Sequence, residues 1–253
     1  MIPSTDLPID GALAFCVLAT FLLAGFVKGV IGLGLPTIAV GLLSMVMLPA
    51  QAAAILIVPS FVTNVWQVKG AGLAVILRRL WTMMLGICVG TLATAGLLSG
   101  EANQSAVVAL GVALVAYALV GLTGLRIRVP ASHEVWLSPL VGVTTGAITG
   151  VTGVFVIPAV PYLQALGFDK DELIQALGVS FLVSTIAMAF SLASGGTFGI
   201  STLGLSSLAL LPALAGMVIG QVARSRVGAT TFKRCFFVGL LGLGMHLAVR
   251  NGL

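Results

Sequence analysis

Two apolar stretches, about 11–48 and 135–167, are too long for one membrane-crossing helix, and each holds a glycine-rich interruption closed by a proline. The first runs Gly25-Phe26-Val27-Lys28-Gly29-Val30-Ile31-Gly32 and continues through Gly34 to Pro36. The second runs Gly146-Ala147-Ile148-Thr149-Gly150-Val151-Thr152-Gly153 and continues to Pro158. Glycine weakens a helix interior and proline ends it. Interruptions of this kind at corresponding places in two halves of an apolar chain point to a transport site. Each stretch reads as a long arm, a break and a second arm of about 12 residues, which covers about 18 Å of a hydrocarbon core about 30 Å thick.

The remainder divides into full spans at about 51–69, 80–99, 103–124, 172–194, 203–223 and 231–249. Of 253 residues, 59% are hydrophobic and 8% charged, against about 25% charged in soluble domains. The chain reads as one all-α integral membrane domain over 1–253. The net charge of +5 is scattered in short clusters between apolar runs, the marking of a cytoplasmic face and not a nucleic-acid surface. Cys16, Cys88 and Cys235 stand singly in apolar runs with no metal-ligand spacing, and are expected to be small buried hydrophobes. Met1 to Asp10 is acidic and lacks the basic opening of a signal peptide, so the first apolar run is expected to stay as a transmembrane helix.

Lys69, Arg78 and Arg79 mark one loop, Arg126 and Arg128 a second, Arg224, Arg226, Lys233 and Arg234 a third, and Lys170 a fourth. The connections near 49–51, 99–104 and 195–202 hold no Lys or Arg. The basic loops are expected on the cytoplasmic side, with Trp66, Trp81 and Trp136 beside them as an interfacial belt. Tracing the chain on that basis, the 11–48 unit starts and ends outside, and the 135–167 unit starts and ends inside. The result is a bundle of two inverted-topology repeats, about 11–124 and 135–249, each one broken or re-entrant hairpin plus three transmembrane helices. Both termini are expected on the outer side. Val58-Pro59-Ser60-Phe61 resembles Gly178-Val179-Ser180-Phe181, which pairs Ser60 with Ser180 and Asn64 with Ser184. Gly86-x-x-x-Gly90 likewise pairs with Gly216-x-x-x-Gly220, a spacing that lets helix backbones approach closely and allows a homodimer.

On these residues the chain resembles the TauE/SafE family of membrane transporters, also called the toluenesulfonate uptake permease family. The carriers are Gly25, Gly29, Gly32, Gly34 and Pro36 in the first copy, and Gly146, Gly150, Gly153 and Pro158 in the second. Lys28, Phe155 and Val156 depart from the family's usual pattern. The resemblance implies transport of a small sulfur-containing anion, such as sulfite, sulfoacetate or another sulfonate, across the bacterial cytoplasmic membrane, in either direction.

The residues point to the same class of cargo. A new helical arm presents free N–H groups and a partial positive charge, and glycine lets a ligand approach them. The two breaks are therefore expected to face each other at the midplane as anion cradles, built on Gly29, Gly32, Gly34, Gly150, Thr152 and Gly153. Lys28 is the one charge within these units, at an insertion cost of about 2.5–3.5 kcal/mol for a central lysine, and reads as a counter-charge to the substrate. Asn64, Gln175 and Ser180 are the next candidate ligands, followed by Gln67, Thr149 and Ser184, all able to donate hydrogen bonds to oxyanion oxygens. Their alternative role is to join helices. Tyr162 and Gln164 fit an interface, His133 and His246 have structural places, and Glu101 and Glu134 read as solvated acids. No cofactor and no metal is expected. A secondary transporter working by alternating access is the first reading, and an anion channel with the breaks as its filter is the second. An intramembrane enzyme is disfavoured, because no HExxH, Ser/His pairing or intramembrane aspartate pair is present.

Overall fold

The computed structural model describes residues 11–70, 72–94, 96–99, 103–124, 128–224, 226 and 228–252. Arg126 and Glu101 lie outside the described residues. Regular structure among the described residues is α-helical: α1 (Gly11–Ile31), α2 (Leu35–Leu43), α3 (Pro49–Val68), α4 (Leu73–Ala93), α5 (Gly96–Ser99), α6 (Asn103–Thr123), α7 (Ala131–Thr152), α8 (Ala159–Ala165), α9 (Lys170–Ser194), α10 (Ile200–Ala223) and α11 (Ala229–Gly252). Eight of these helices, α1, α3, α4, α6, α7, α9, α10 and α11, are long and apolar enough to cross a membrane. Large hydrophobic side chains cover much of the outside, and Trp66, Trp81 and Trp136 are among them.

The expected units are present, with altered proportions. The glycine runs do not interrupt the long arms: α1 continues through Gly25 and Gly29 to Ile31, and α7 through Gly146 and Gly150 to Thr152. The chain turns only after them, where Gly32 (φ 77°), Gly34 (φ 105°) and Gly153 (φ 73°) adopt the left-handed backbone that glycine alone takes without strain. The arms that follow are shorter than expected, with 9 residues in α2 and 7 in α8.

Packing explains why the helices run through their glycines. A methyl group on Gly25 would stand 2.1 Å from the Ala213 carbonyl oxygen, and one on Gly29 2.2 Å from that of Met217. In return, Gly216 and Gly220 on α10 meet the carbonyls of Leu22 and Phe26 at 2.1 Å. The other half does the same: Gly142 and Gly146 on α7 lie against Met83 and Ile87, while Gly86 and Gly90 on α4 lie against Pro139 and Val143. Small residues permit this backbone contact in a setting where burial from lipid provides no drive. Both GxxxG faces pack against helices of the same chain.

The pairings form matched sets. α1 along α10 answers α4 along α7, and α3 against α10 answers α4 against α9. α3 and α9 pack on each other, as do α6 and α11, where Gly111 and Gly244 meet each other's carbonyl oxygens at 2.7 and 2.8 Å of a would-be methyl.

Three local expectations are corrected. The 80–99 span is displaced: α4 covers Leu73–Ala93, so Arg78 and Arg79 belong to its second turn and not to a loop. Long cationic side chains can ride on a helix end with their heads at the polar boundary, which the loop assignment ignored. Lys233 and Arg234 similarly lie in the first turns of α11, and Lys170 opens α9. Cys16 and Cys235 are exposed and Cys88 half-buried, because the perimeter of this bundle is as apolar as its interior.

Candidate functional site

The two breaks meet α3 at different places. Gly32 at the first break offers its carbonyl to Gln67 Nε2 at 3.4 Å, near the C-terminal end of α3. Gly153 at the second packs on Ala53 and beside the Pro49 carbonyl, near the N-terminal end of α3. Ala53 and Gln67 are about 21 Å apart along that helix. The reason is arm length: α1 and α7 have 21 and 22 residues, about 31 and 33 Å. Each break therefore comes at the far end of a full-length helix and not at its middle. Gly153 also lies beside Val40 of α2, the arm that leaves the first break.

What the fold does assemble is a polar cluster around Lys28. The side chain is 5% exposed, whereas the other described Lys and Arg residues are exposed or half-exposed. It stands one turn before the end of α1, and it reaches α3 one turn before that helix ends, so the cluster is off-centre. Lys28 Nζ donates to Thr63 Oγ1 at 3.0 Å and to Asn64 Oδ1. Both acceptors are neutral. Among the described residues no carboxylate pairs with it, the one ion pair being Arg79 with Glu134. The C-terminal ends of α1 and α3 add partial negative charge nearby, but no whole counter-charge.

The remaining bonds have a fixed direction. Thr185 on α9 donates its hydroxyl to the Phe181 carbonyl at 2.7 Å, so in the 3.0 Å contact between Ser60 and Thr185 the donor is Ser60. Asn64 Nδ2 then donates to Ser60 Oγ at 3.0 Å and lies 3.5 Å from Thr185 Oγ1. Thr63 sends its own hydroxyl to the Pro59 carbonyl at 2.7 Å. Every donor in the cluster is committed to the protein except one: an ammonium has three N–H groups, and among the described residues nothing accepts the third.

Local sequence places these groups. Ser60 and Asn64 are four apart and share a face of α3. Pro59 lacks an N–H and disturbs the helix one turn back. Ser206 of α10 mends the damage by accepting from Val58 N at 3.0 Å and donating to the Ile55 carbonyl at 2.7 Å. Gln67 Nε2 also donates to the Ile174 carbonyl at 3.1 Å, and Gln175 Nε2 to the Val68 carbonyl at 2.6 Å. The two glutamines thus lash the end of α3 to the start of α9, beside the first break.

Of the expected site residues, Lys28 and Asn64 come together, with Gly32 one turn from Lys28 and Gly34 capping α2. Gln175 serves the helix end. Gly29 and Gly150 are turned to neighbouring helices, Gly150 against Thr91 of α4 and Thr94, which caps it. Thr152 Oγ1 accepts from Val154 N at 3.2 Å and Gly153 completes the second break, at the opposite end of α3 from Gln67. Ser180 and Ser184 are fully buried, and their hydroxyls have no partner among the described residues. Thr149, the counterpart of Lys28 in the second copy, is buried and donates to its own helix at 2.7 Å.

Ser60, Thr63, Thr185 and Ser206 were not anticipated as partners. The four-residue spacing of Ser60 and Asn64 was a usable signal, but contacts with α9 and α10 cross more than a hundred residues and leave none. Tyr162, expected at an interface, is buried and shares a 2.6 Å hydrogen bond with Ser138. Glu134, expected to be solvated, pairs with Arg79 at 2.5 and 2.8 Å. His133, His246 and Gln164 are exposed. No cluster of His, Cys, Asp and Glu suited to a metal occurs among the described residues.

The model of the sulfite exporter TauE/SafE family matches residues 17–247. The chain belongs to the TauE/SafE family. The match begins in α1 and ends in α11, so it includes the Lys28 cluster, both breaks and all the long helices. With eight apolar helices of spanning length, this TauE/SafE member is a multi-pass membrane protein of a transporter family. Comparison with curated proteins and with solved structures gave no match.

Proposed function

We propose that this TauE/SafE protein moves a small sulfur-containing anion (sulfite, sulfoacetate or another sulfonate) across the bacterial cytoplasmic membrane, with Lys28 as the anion's counter-charge. The observation that carries this reading is a buried lysine whose protein partners are both neutral and whose third N–H is uncommitted. An isolated buried charge is costly, and a protein that keeps one open to an oxyanion gains its compensation on binding. Family membership supports the sulfur-anion class.

The transport cycle is alternating access between two inverted-topology repeats, α1–α6 and α7–α11, as such repeats permit. The matched helix pairings support the repeat, and the Lys/Arg distribution supports an orientation with both termini outside. The glycine contacts tie α1 to α10 and α4 to α7, so each of these two tight units takes one helix from either repeat, and the rocking is of these units against the rest of the two repeats. Lys28 sits where α1 meets the α3–α9 contact, so relative motion of the units would alter its access.

The test is sulfite and sulfoacetate flux into proteoliposomes of the wild type and of Lys28→Ala. Saturable flux that falls at least about tenfold in the variant, with the variant's melting temperature retained, supports the assignment. Undiminished flux removes Lys28 from the site.

A further inference from the structure

We infer that Gln67 is the latch of a thin gate between Lys28 and the membrane face where α1 and α3 end, and that motion of α1 opens it. This rests on Lys28 being the substrate's counter-charge, and adds the residue that controls entry to it.

Lys28 lies close to one face only. Its acceptors Thr63 and Asn64 stand one turn before Gln67 on α3, and Gly32 stands one turn after Lys28 on the chain leaving α1. Along α3, burial falls from Asn64, fully buried, through half-buried Gln67 to exposed Lys69, within about 7 Å of helix rise. Lys69 lies over the exposed Trp66 ring at 5.1 Å, as side chains at a polar boundary do. On the other side of Lys28, α1 runs back to Gly11 for about 26 Å, through Ala24, Phe21 and Val17, all fully buried. The short way to Lys28 is therefore past Gln67.

Hydrogen bonds close that way. Gln67 Nε2 donates to the Ile174 carbonyl at 3.1 Å and to the Gly32 carbonyl at 3.4 Å, so one amide on α3 bridges α9 and the break after α1. Gln175 Nε2 adds its 2.6 Å bond to the Val68 carbonyl at the same end. The bonds differ in what they join. Those to Ile174 and Val68 lie within the α3–α9 pair. The bond to Gly32 crosses to α1, which its glycines tie to α10. It is the longest of the three, and hydrogen bonds weaken as they lengthen. Rocking of α1 with α10 against α3 and α9 thus breaks the Gly32 bond first and leaves the other two. The closed position is also incompletely satisfied. Gln67 Oε1 is buried with no partner among the described residues, and an unmet buried acceptor favours any movement that lets water reach it.

The experiment reads access to Lys28 with a neighbouring cysteine. Cys16, Cys88 and Cys235 are replaced by Ser and Thr63→Cys is added. The purified full chain in lipid nanodiscs is then reacted with N-ethylmaleimide, with and without methanesulfonate. Thr91→Cys serves as the control for loosening of the whole bundle, since Thr91 is fully buried on α4 and its hydroxyl has no partner to lose among the described residues. Gln67→Ala is expected to speed labelling of Thr63→Cys at least about tenfold, and Gln67→Met, which keeps the bulk and loses the donor, by a few-fold. Labelling of Thr91→Cys is expected to stay unchanged in both. Gln175→Ala removes a bond inside the α3–α9 pair and is expected to act less than Gln67→Ala. Thr63→Cys labelling unaltered by both Gln67 variants, or matched by an equal rise at Thr91→Cys, overturns the gate. An equal or larger effect of Gln175→Ala places the opening between α3 and α9 and overturns the latch. Methanesulfonate reads the Lys28 assignment separately: slower labelling in its presence supports the counter-charge role. Labelling that responds to Gln67 but not to methanesulfonate supports the gate and overturns that role.

Discussion

Asn64 turns its amide oxygen to Lys28 Nζ and its amide nitrogen to Ser60, so one side chain both accepts from the buried cation and anchors it to the α3–α9 contact. This orientation follows from the hydroxyls below it, whose hydrogens run toward the Phe181 carbonyl. Replacing Asn64 by Asp keeps the shape and puts a carboxylate where the neutral oxygen was. Lys28 then has an internal counter-charge and no further need of an anion. Asn64→Asp is expected to lower sulfite flux and anion affinity by at least about tenfold while leaving the melting temperature at or above that of the wild type. Flux near the wild-type value in a folded Asn64→Asp protein would show that Lys28 does not hold the substrate.

The glycines separate into two kinds by what stands opposite them. Gly29 faces the Met217 backbone oxygen at 2.2 Å of a would-be methyl, so Gly29→Ala has to push α1 away from α10. Overpacking of this sort costs about 1–3 kcal/mol. Gly239 on α11 has nothing within 4 Å, and there alanine gains helix propensity worth about 0.4–1 kcal/mol. Thermal melting in detergent is expected to fall for Gly29→Ala and to hold or rise for Gly239→Ala. Equal behaviour of the two would contradict the close crossing of α1 and α10.

Much of the architecture was legible because lipid imposes a simple rule: backbone groups must be satisfied within a segment, so apolar runs of spanning length become helices. Lengths and sparse charges thus located the long helices to within a few residues, α4 excepted. The glycine runs were legible as special but not as to what they do. A Gly-x-x-x-Gly spacing serves a close helix crossing and a helix interruption equally well, and only the partner helix decides. Gly25 and Gly29 had theirs in Ala213 and Met217, nearly two hundred residues away. The position of the breaks was lost with that choice, since an arm assumed to stop at Gly25 ends at the midplane, whereas one running to Ile31 crosses. Lys28 and Asn64 were visible as the charge and amide that an apolar bundle has no ordinary reason to contain. Their meeting was not, because it depends on how far α1 continues past Gly25.

Ser206 offers a test of how the site is supported from outside. It bonds both groups that Pro59 unsettles, Val58 N–H and the Ile55 carbonyl. Ser206→Ala leaves both unpartnered and buried, a cost of about 1–3 kcal/mol. The Pro59 turn of α3 is also where Ser60 and Asn64 are presented, so affinity for the anion is expected to fall by a few-fold along with melting temperature. Ser206→Cys, with a weak donor and acceptor of similar size, is expected to recover part of both. A variant as stable as the wild type would mean that the Pro59 turn needs no help from α10.

Arg79 in the second turn of α4 and Glu134 in the first turn of α7 pair, and their bond is the bidentate kind that gives an ion pair geometric definition. Arg79 also donates to the Leu166 carbonyl at 3.1 Å and lies over the Phe168 ring at 4.6 Å, which ties in the chain between α8 and α9. Arg79 is about one-third exposed, with 34% of its side chain accessible against 13% for Glu134, so solvent screens the charge term and about 1 kcal/mol is a fair size for it. Glu134→Gln is expected to lower stability by that amount, and the loss is expected to shrink in high salt. Arg79→Ala is expected to cost more, because the Leu166 carbonyl and the Phe168 ring lose their partner as well. Measuring both melts at low and high salt separates the two contributions, and a salt-independent loss of equal size in the two variants would place the stabilisation in packing and not in the ion pair.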